Sequence, residues 1–330
     1  MVPVERRIEV GELLPGEGPL SVAADIFLPP RPRTPPVALF CLPGGALARG
    51  YYHLESDPCL GPDPDHEGGD LSFAAWMVSH GFIVVTLDPL GSGGSSRPRD
   101  GFELTPEVIT TAHAIAVDSI RRDLLAGRVT GQTQPLEPLL TIGVGHSMGA
   151  MLTVLQQAHD RHHAALILLG FSTQGLAPAL SAEEAAFAGD PMGARRNVVR
   201  LARLRSPEPY AEMTSSAQSR RIFAGKNAER HAVEALQRVR TRLLVTAGLF
   251  SMLPGSTAPE CAQIDTPIFL AVGDRDIAGA PHQIPANFPG SSDVTLLVLP
   301  ATGHSHFLFA SRRHLFARVQ NWVETVLHMR

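Results

Sequence analysis

Leu139-Leu140-Thr141-Ile142-Gly143-Val144 runs directly into Gly145-His146-Ser147-Met148-Gly149, and that into Ala150-Met151-Leu152-Thr153-Val154-Leu155-Gln156-Gln157. A strand-like segment, a Gly-x-Ser-x-Gly pentapeptide and a helix-like segment follow in that order. A strand that becomes a helix within about five residues pushes its central residue toward positive φ and crowds the neighbours. Glycines at 145 and 149 remove side chains where backbone and helix approach each other. Ser147 is left at the tip with its hydroxyl exposed. The helix N-terminus beneath offers free N–H groups and a positive dipole end to a developing oxyanion. The same pentapeptide can also be a plain glycine-rich turn. The rest of the chain must therefore supply a base, an orienting acid and a second oxyanion donor.

Working outward, apolar runs of buried-strand type recur at Val37–Leu42, Phe82–Leu87, Ala164–Leu169, Ile268–Val272 and Val294–Leu299. Ile8 to Phe27 reads as a strand pair, broken by Gly11 and by Pro15-Gly16-Glu17-Gly18. Helical patterns fall between most of these, at Leu71–His80, Pro106–Leu125 and Arg312–Leu327. Fully apolar strands alternating with helices predict an α/β fold with a mostly parallel sheet covered on both faces. The alternation lapses from Thr173 to Cys261, where Asn197–Leu204 and Glu229–Val239 carry helical spacing. Leu243-Leu244-Val245-Thr246 is the clear strand-like run in that interval.

The remaining catalytic parts are expected at the C-terminal ends of strands, where sites on open parallel sheets collect. Val272-Gly273-Asp274-Arg275-Asp276 follows one strand and Pro300-Ala301-Thr302-Gly303-His304 the last. His304 would take the proton of Ser147, and a carboxylate would fix its tautomer. Asp276 is preferred to Asp274 because it fits a Gly-x-x-Asp placement. His306 is expected at the pocket rim or on the helix surface. Pro43-Gly44-Gly45-Ala46 follows the strand ending at Leu42, and its N–H groups suit a second oxyanion donor: Gly45, or Ala46 if the turn is one residue longer. The first donor is the N–H of Met148. Gly44, Ala46, His146 and Tyr51 are expected at the substrate, with Tyr51-Tyr52-His53 weighed against plain packing.

These residues resemble those of the α/β-hydrolase superfamily, in its branch with a helical cap. The resemblance spans nearly the whole chain. It rests on Leu42-Pro43-Gly44-Gly45, Leu87-Asp88-Pro89-Leu90-Gly91-Ser92-Gly93-Gly94-Ser95, Gly145 to Gly149, Gly273 to Asp276 and Gly303-His304. It implies a mostly parallel, eight-stranded sheet flanked by helices, with the cap over the triad and no metal or organic cofactor. Residues 1–172 and 262–330 would form the core and 173–261 the cap. Many members carry His-Gly where this chain has Pro43-Gly44, which leaves the oxyanion backbone intact.

Composition narrows the function further. A net charge of −4 gives no basic footprint for nucleic acid. No run approaches the roughly 18 apolar residues of a membrane span. Met1 to Arg7 lacks the pattern of a secretory signal. Cys41, Cys59 and Cys261 are scattered and read as free thiols of a reducing compartment. A cytoplasmic protein acting on a small acyl compound is expected, without nucleic-acid or membrane partners, and no feature sets an oligomeric state. Gly91-Ser92-Gly93-Gly94 lacks the lysine of a phosphate loop. His159-Asp160-Arg161-His162-His163 sits at the end of the helix after the pentapeptide, where cationic side chains suit the dipole. The acidic stretch Asp57 to Asp70 reads as a solvated loop whose spacing matches no metal-ligand motif. Trp76 and Trp322 read as helix-packing residues.

The expected activity is cleavage of a carboxylic ester or lactone through an acyl-enzyme on Ser147. Amidase, peptidase, thioesterase or perhydrolase chemistry on the same residues is the alternative. A non-catalytic ligand-binding protein is the reading from another class. Dehalogenase and epoxide-hydrolase chemistry needs Asp where Ser147 stands. Phe187, Met192, Val198, Val199, Leu201, Phe223, Leu249, Phe250, Met252 and Leu253 lie in the interval assigned to the cap. If half of them face the site, the pocket is apolar and the substrate neutral.

Overall fold

The computed structural model describes residues 1–56, 71–213, 225 and 227–328. The stretch Asp57 to Asp70 (with Cys59) and Phe223 lie outside the described residues. Val4–Gly11 (β1) and Leu20–Phe27 (β2) form an antiparallel hairpin at one sheet edge. Val37–Leu42 (β3), Ile83–Leu87 (β4), Leu140–His146 (β5) and Ala165–Leu169 (β6) follow. Beyond a separate small pair, Tyr210–Ala211 (β7) with Leu243–Leu244 (β8), come Ile268–Gly273 (β9) and Val294–Leu299 (β10). The main sheet has eight strands in the order β1-β2-β4-β3-β5-β6-β9-β10 and is parallel from β4 onward.

The helices are Phe73–Ser79 (α1), Pro106–Leu125 (α2), Met148–Asp160 (α3), Ala182–Ala185 (α4) and Pro191–Arg205 (α5). Arg230–Arg238 (α6), Val245–Met252 (α7), Ala258–Gln263 (α8) and Arg312–His328 (α9) complete them. α2 starts as its sequence dictates, with Thr105 capping the N–H of Val108 and Pro106 in the first turn.

Every residue of β3, β4, β6 and β9 is buried, which explains their unbroken apolar sequence. The period of two splits the core between the sheet's faces. Ala38, Phe40 and Leu42 share a cluster with Ile109, Val117 and Leu152 of α2 and α3. Val37, Leu39 and Cys41 share the other with Phe73 and Met77 of α1 and Phe316 and Val319 of α9.

β3 lies between β4 and β5, so the chain leaves it in one direction and returns past it. Ligand sites on open sheets form at such a reversal, outside the carboxyl ends of the strands. Leu42 pairs with Gly145, which sets the loops after β3 and β5 side by side.

The interval after β6 departs from expectation at Leu243–Thr246. Only Leu243 and Leu244 pair, with Ala211 and Tyr210, and Val245 and Thr246 open α7. Residues Val245 to Phe250 are all buried, so no polar face marks the helical period. A short apolar run of that kind does not distinguish strand from helix. Among the described residues no helix is long and apolar enough to cross a membrane.

Candidate active site

Ser147 occupies the N-cap of α3 with φ 54° and ψ −121°, outside the regions an L-residue prefers. Its side chain does not cap the helix. Its N–H donates to the carbonyl of Leu169 in β6, which pins the turn to the sheet. The flanking glycines answer close approach: a Cβ on Gly149 would lie 2.2 Å from the carbonyl oxygen of Leu42, and one on Gly145 2.4 Å from Cα of Ala150. The Met148 N–H opens the helix and has no intrahelical acceptor.

The turn aims Oγ of Ser147 at Nε2 of His304, 2.8 Å away. Nδ1 of the same ring lies 2.6 Å from Oδ1 of Asp276. With the Nδ1 proton donated to the carboxylate, Nε2 is left to accept the serine proton. Burial alone pushes the Asp276 carboxyl up. The neighbouring His304 and His306 outweigh it and hold the carboxyl well below the usual carboxylate range. Asp276 also accepts the N–H of Ala278 at 3.1 Å and of Gly273 at 3.3 Å. Asp274 faces elsewhere and accepts the N–H groups of Ala301 and Thr302, closing the turn ahead of His304.

His306 corrects the expectation of a rim or surface residue. It is wholly buried, with Nε2 2.8 Å from Oδ2 of Asp276. His146 and Tyr51, expected at the substrate, are buried behind His304 and are not among the residues that line the cavity at Ser147. His146 continues the alternation of Ile142 and Val144, so it faces the α1 and α9 side. Its Nε2–H donates to the carbonyl of His304 at 2.9 Å. Tyr51 is sandwiched between His146 and Phe307, with ring centroids 4.8 Å and 4.7 Å apart. Burial, with the nearby His304 and His306, holds His146 well below the usual histidine range and so neutral.

Ser147 and His304 open into a partly open cavity lined with Met148, Phe171, Leu176, Met252, Ile277 and Ala278 together with Gly170, Ser172, Gly175 and Ser251. No charged carboxylate, lysine or arginine side chain is among these residues. Ser172 donates its hydroxyl proton to the carbonyl of Ala278, and Ser251 to that of Gly248. Gly44, Gly45 and Ala46 are not part of this lining. Gly44 packs on the His146 ring and against Ser147, and Leu243 and Met148 cover Gly45. Ala46 has φ 61°. The interval after β6 braces this loop through backbone: Thr241 N–H donates to Ala46, Ala48 N–H donates to Val239, and Leu47 bridges Arg240.

The family model of the alpha/beta hydrolase family matches residues 38–319. The chain belongs to the alpha/beta hydrolase family. No curated protein matches it in sequence. Among solved structures this hydrolase is similar to a thermophilic esterase from Thermogutta terrifontis, at 14% identity and TM-score 0.62, over 97% of this chain and 99% of that one. It is similar to a peroxisomal alpha-beta-hydrolase from Saccharomyces cerevisiae, at 13% identity and TM-score 0.62, over 99% and 90% of the two chains. Proline iminopeptidase from Mycobacterium smegmatis resembles it at 15% identity and TM-score 0.58, over 98% of each chain. At such identities the likeness is one of fold.

Within this hydrolase the residues that sequence reasoning missed sit after β6 and β9. Gly170, Phe171 and Ser172 follow the end of β6 directly, and Ile277 and Ala278 lie in the loop after β9, just past Asp276. The rule that located Asp276 and His304 applies equally to them. Of the apolar residues in the interval 173–261, Met252 lines the cavity, whereas Val198, Leu201, Leu249, Phe250 and Leu253 are core and Met192 is exposed. The histidines of His159 to His163 diverge: His159 meets Asp160, His162 meets Asp118, and His163 is buried.

Proposed function

We propose that this alpha/beta hydrolase is a serine hydrolase that cleaves a neutral, fairly hydrophobic carboxylic ester or lactone through an acyl-enzyme on Ser147. The observation that carries this reading is the unbroken line from Oγ of Ser147 through the imidazole of His304 to Asp276, with spacings of 2.8 Å and 2.6 Å. Oγ attacks the carbonyl carbon and its proton passes to Nε2 of His304. The new oxyanion is met by the N–H of Met148, and the N–H of Gly45 is the proposed second donor. His304 then gives its proton to the leaving alkoxide, and the acyl group stays on Ser147. Water, deprotonated by His304, attacks the acyl-enzyme and releases the acid and the free serine. Asp276 stays ionised and stabilises the imidazolium that forms in each half.

The lining supports the substrate class. Apolar side chains surround the nucleophile, and both serine hydroxyl protons are held by backbone carbonyls, so little is offered to a charged acyl group. Residues 173–261 are proposed as the cap, since Gly175, Leu176, Ser251 and Met252 of that interval wall the cavity. The esterase, whose fold this chain shares, is consistent with ester cleavage.

The test treats the purified protein with a fluorophosphonate and maps the adduct by mass spectrometry, beside a panel of p-nitrophenyl esters of increasing chain length. Labelling at Ser147 with turnover is the expected result. Labelling without turnover would move the substrate to an amide or thioester. No labelling, with stoichiometric ligand binding, would replace the enzyme reading with a binding protein.

A further inference from the structure

Asp276 serves two histidines, and the reaction proposed above uses only one of them. Resting on that reading, we propose that His306 is a positioning residue: its Nε2–H holds Oδ2 of Asp276 so that Oδ1 stays on Nδ1 of His304. The local backbone is built for this. Ser305 has φ −87° and ψ 78°, and the N–H of His306 donates to the carbonyl of His304 at 3.1 Å, an inverse γ-turn. In an extended chain two residues so spaced stand about 7 Å apart. The turn draws them together until both rings reach one carboxylate, at 2.6 Å and 2.8 Å.

The carboxylate needs the second histidine. Its side chain is fully shielded from solvent. Without His306, Oδ2 would keep, among the described residues, only the N–H of Gly273, at 3.3 Å. A buried carboxylate oxygen so poorly served is costly. Turning the carboxylate toward other donors, or protonating it, relieves that cost and breaks its bond to His304.

His306 is suited to hold and not to react. Among the described residues its Nδ1 is buried with no hydrogen-bond partner. A proton there would have no acceptor, whereas one on Nε2 meets Oδ2 of Asp276, so the ring acts as a fixed donor through Nε2. Its distance to Asp276 leaves His304 as the histidine that meets Ser147. His146 closes the cluster from behind, its ring 5.0 Å from His304 and 5.8 Å from His306. A buried nitrogen left without a partner calls for an explanation, and the bond made by the other nitrogen supplies it.

The test compares His306→Phe, which fills the space without a donor, with His306→Gln, whose amide nitrogen can take the place of Nε2. kcat and KM are measured on p-nitrophenyl butyrate, and proton NMR follows the deshielded Nδ1–H shared by His304 and Asp276. In H306F, kcat is expected to fall by up to about 100-fold with KM unchanged, as for a misplaced catalytic group, and the deshielded resonance to move or vanish. H306Q is expected to restore both. Should H306F not fold, H306N, polar but too short to reach Oδ2, takes its place. Wild-type kcat and an unmoved resonance in a donor-less variant overturn the proposal, as does an H306Q variant as impaired as H306F. Ser147→Ala checks the underlying reading separately. Turnover surviving in it would sink the acyl-enzyme, while the NMR comparison would still decide whether His306 holds Asp276.

Discussion

Asp274 and Asp276 are two residues apart and hold different things. Asp274 closes a backbone turn, and Asp276 meets two imidazoles. Asp276→Asn is therefore expected to lower kcat by about 10⁴-fold, the loss seen when a histidine is left in the wrong tautomer. Asp274→Asn should cost about 1 kcal/mol of stability and leave most of the activity. Ester turnover beside thermal melting separates the two, and equal losses of kcat would move the acid. Gly170 gives a second test. Its φ is 59°, and a Cβ there would lie 3.1 Å from the His304 ring. Gly170→Ala is expected to lower both kcat and melting temperature, and an unaffected kcat would mean the ring has room to move. That Ser147, His304 and Asp276 meet was legible because each follows a strand or turn whose sequence announces itself. His306 was not, because its role depends on a one-residue turn at Ser305 that no periodicity signals. The surroundings of Tyr51 were not legible either, because its ring is aimed by packing between His146 and Phe307, which are distant in sequence.

Among the elements, β3 to β6 and β9 were readable because burial on both faces keeps their runs apolar, and the partly exposed edge strand β10 carries an apolar run as well. α7 was not, because full burial erased its period. The pairing of residues 239–241 with the loop after β3 was hidden for a different reason: backbone hydrogen bonds carry no side-chain signature. That pairing has a measurable consequence. Thr241→Pro removes the N–H that the Ala46 carbonyl accepts. If Gly45 supplies an oxyanion donor, displacing its loop should cost kcat roughly tenfold, a fraction of the value of a whole donor. Thr241→Ala, which keeps the N–H, is the control. Equal kcat in the two variants would show that the brace is irrelevant to the reaction.

For the molecule as a whole, buried neutral histidines set the response to acid. His113 and His163 are both wholly shielded, and burial pulls each down to about 3. Neither ring nitrogen of His113 has a hydrogen-bond partner among the described residues. An unfolded histidine titrates near 6.5, so between about pH 6.5 and 3 the unfolded chain takes up protons that the native state refuses. Their contribution is complete above pH 6.5 and drains away as pH falls, by about 1.4 kcal/mol per unit for each ring. Urea midpoints should drop clearly from pH 7.5 to 5, and His113→Leu should flatten that slope. A slope unchanged by the substitution would mean His113 already protonates in the native state. The backbone of Ser147 ties function to the integrity of the whole sheet in another way. Its unfavourable dihedrals persist only while the pairing of β5 with β6 holds the turn taut, like a bow kept bent by its string. Slackening that pairing lets the turn relax and withdraws the hydroxyl from His304 before any global transition. On slow heating, catalysis should therefore fade several degrees before the bulk of the chain melts, making activity the earliest thermometer of this sheet.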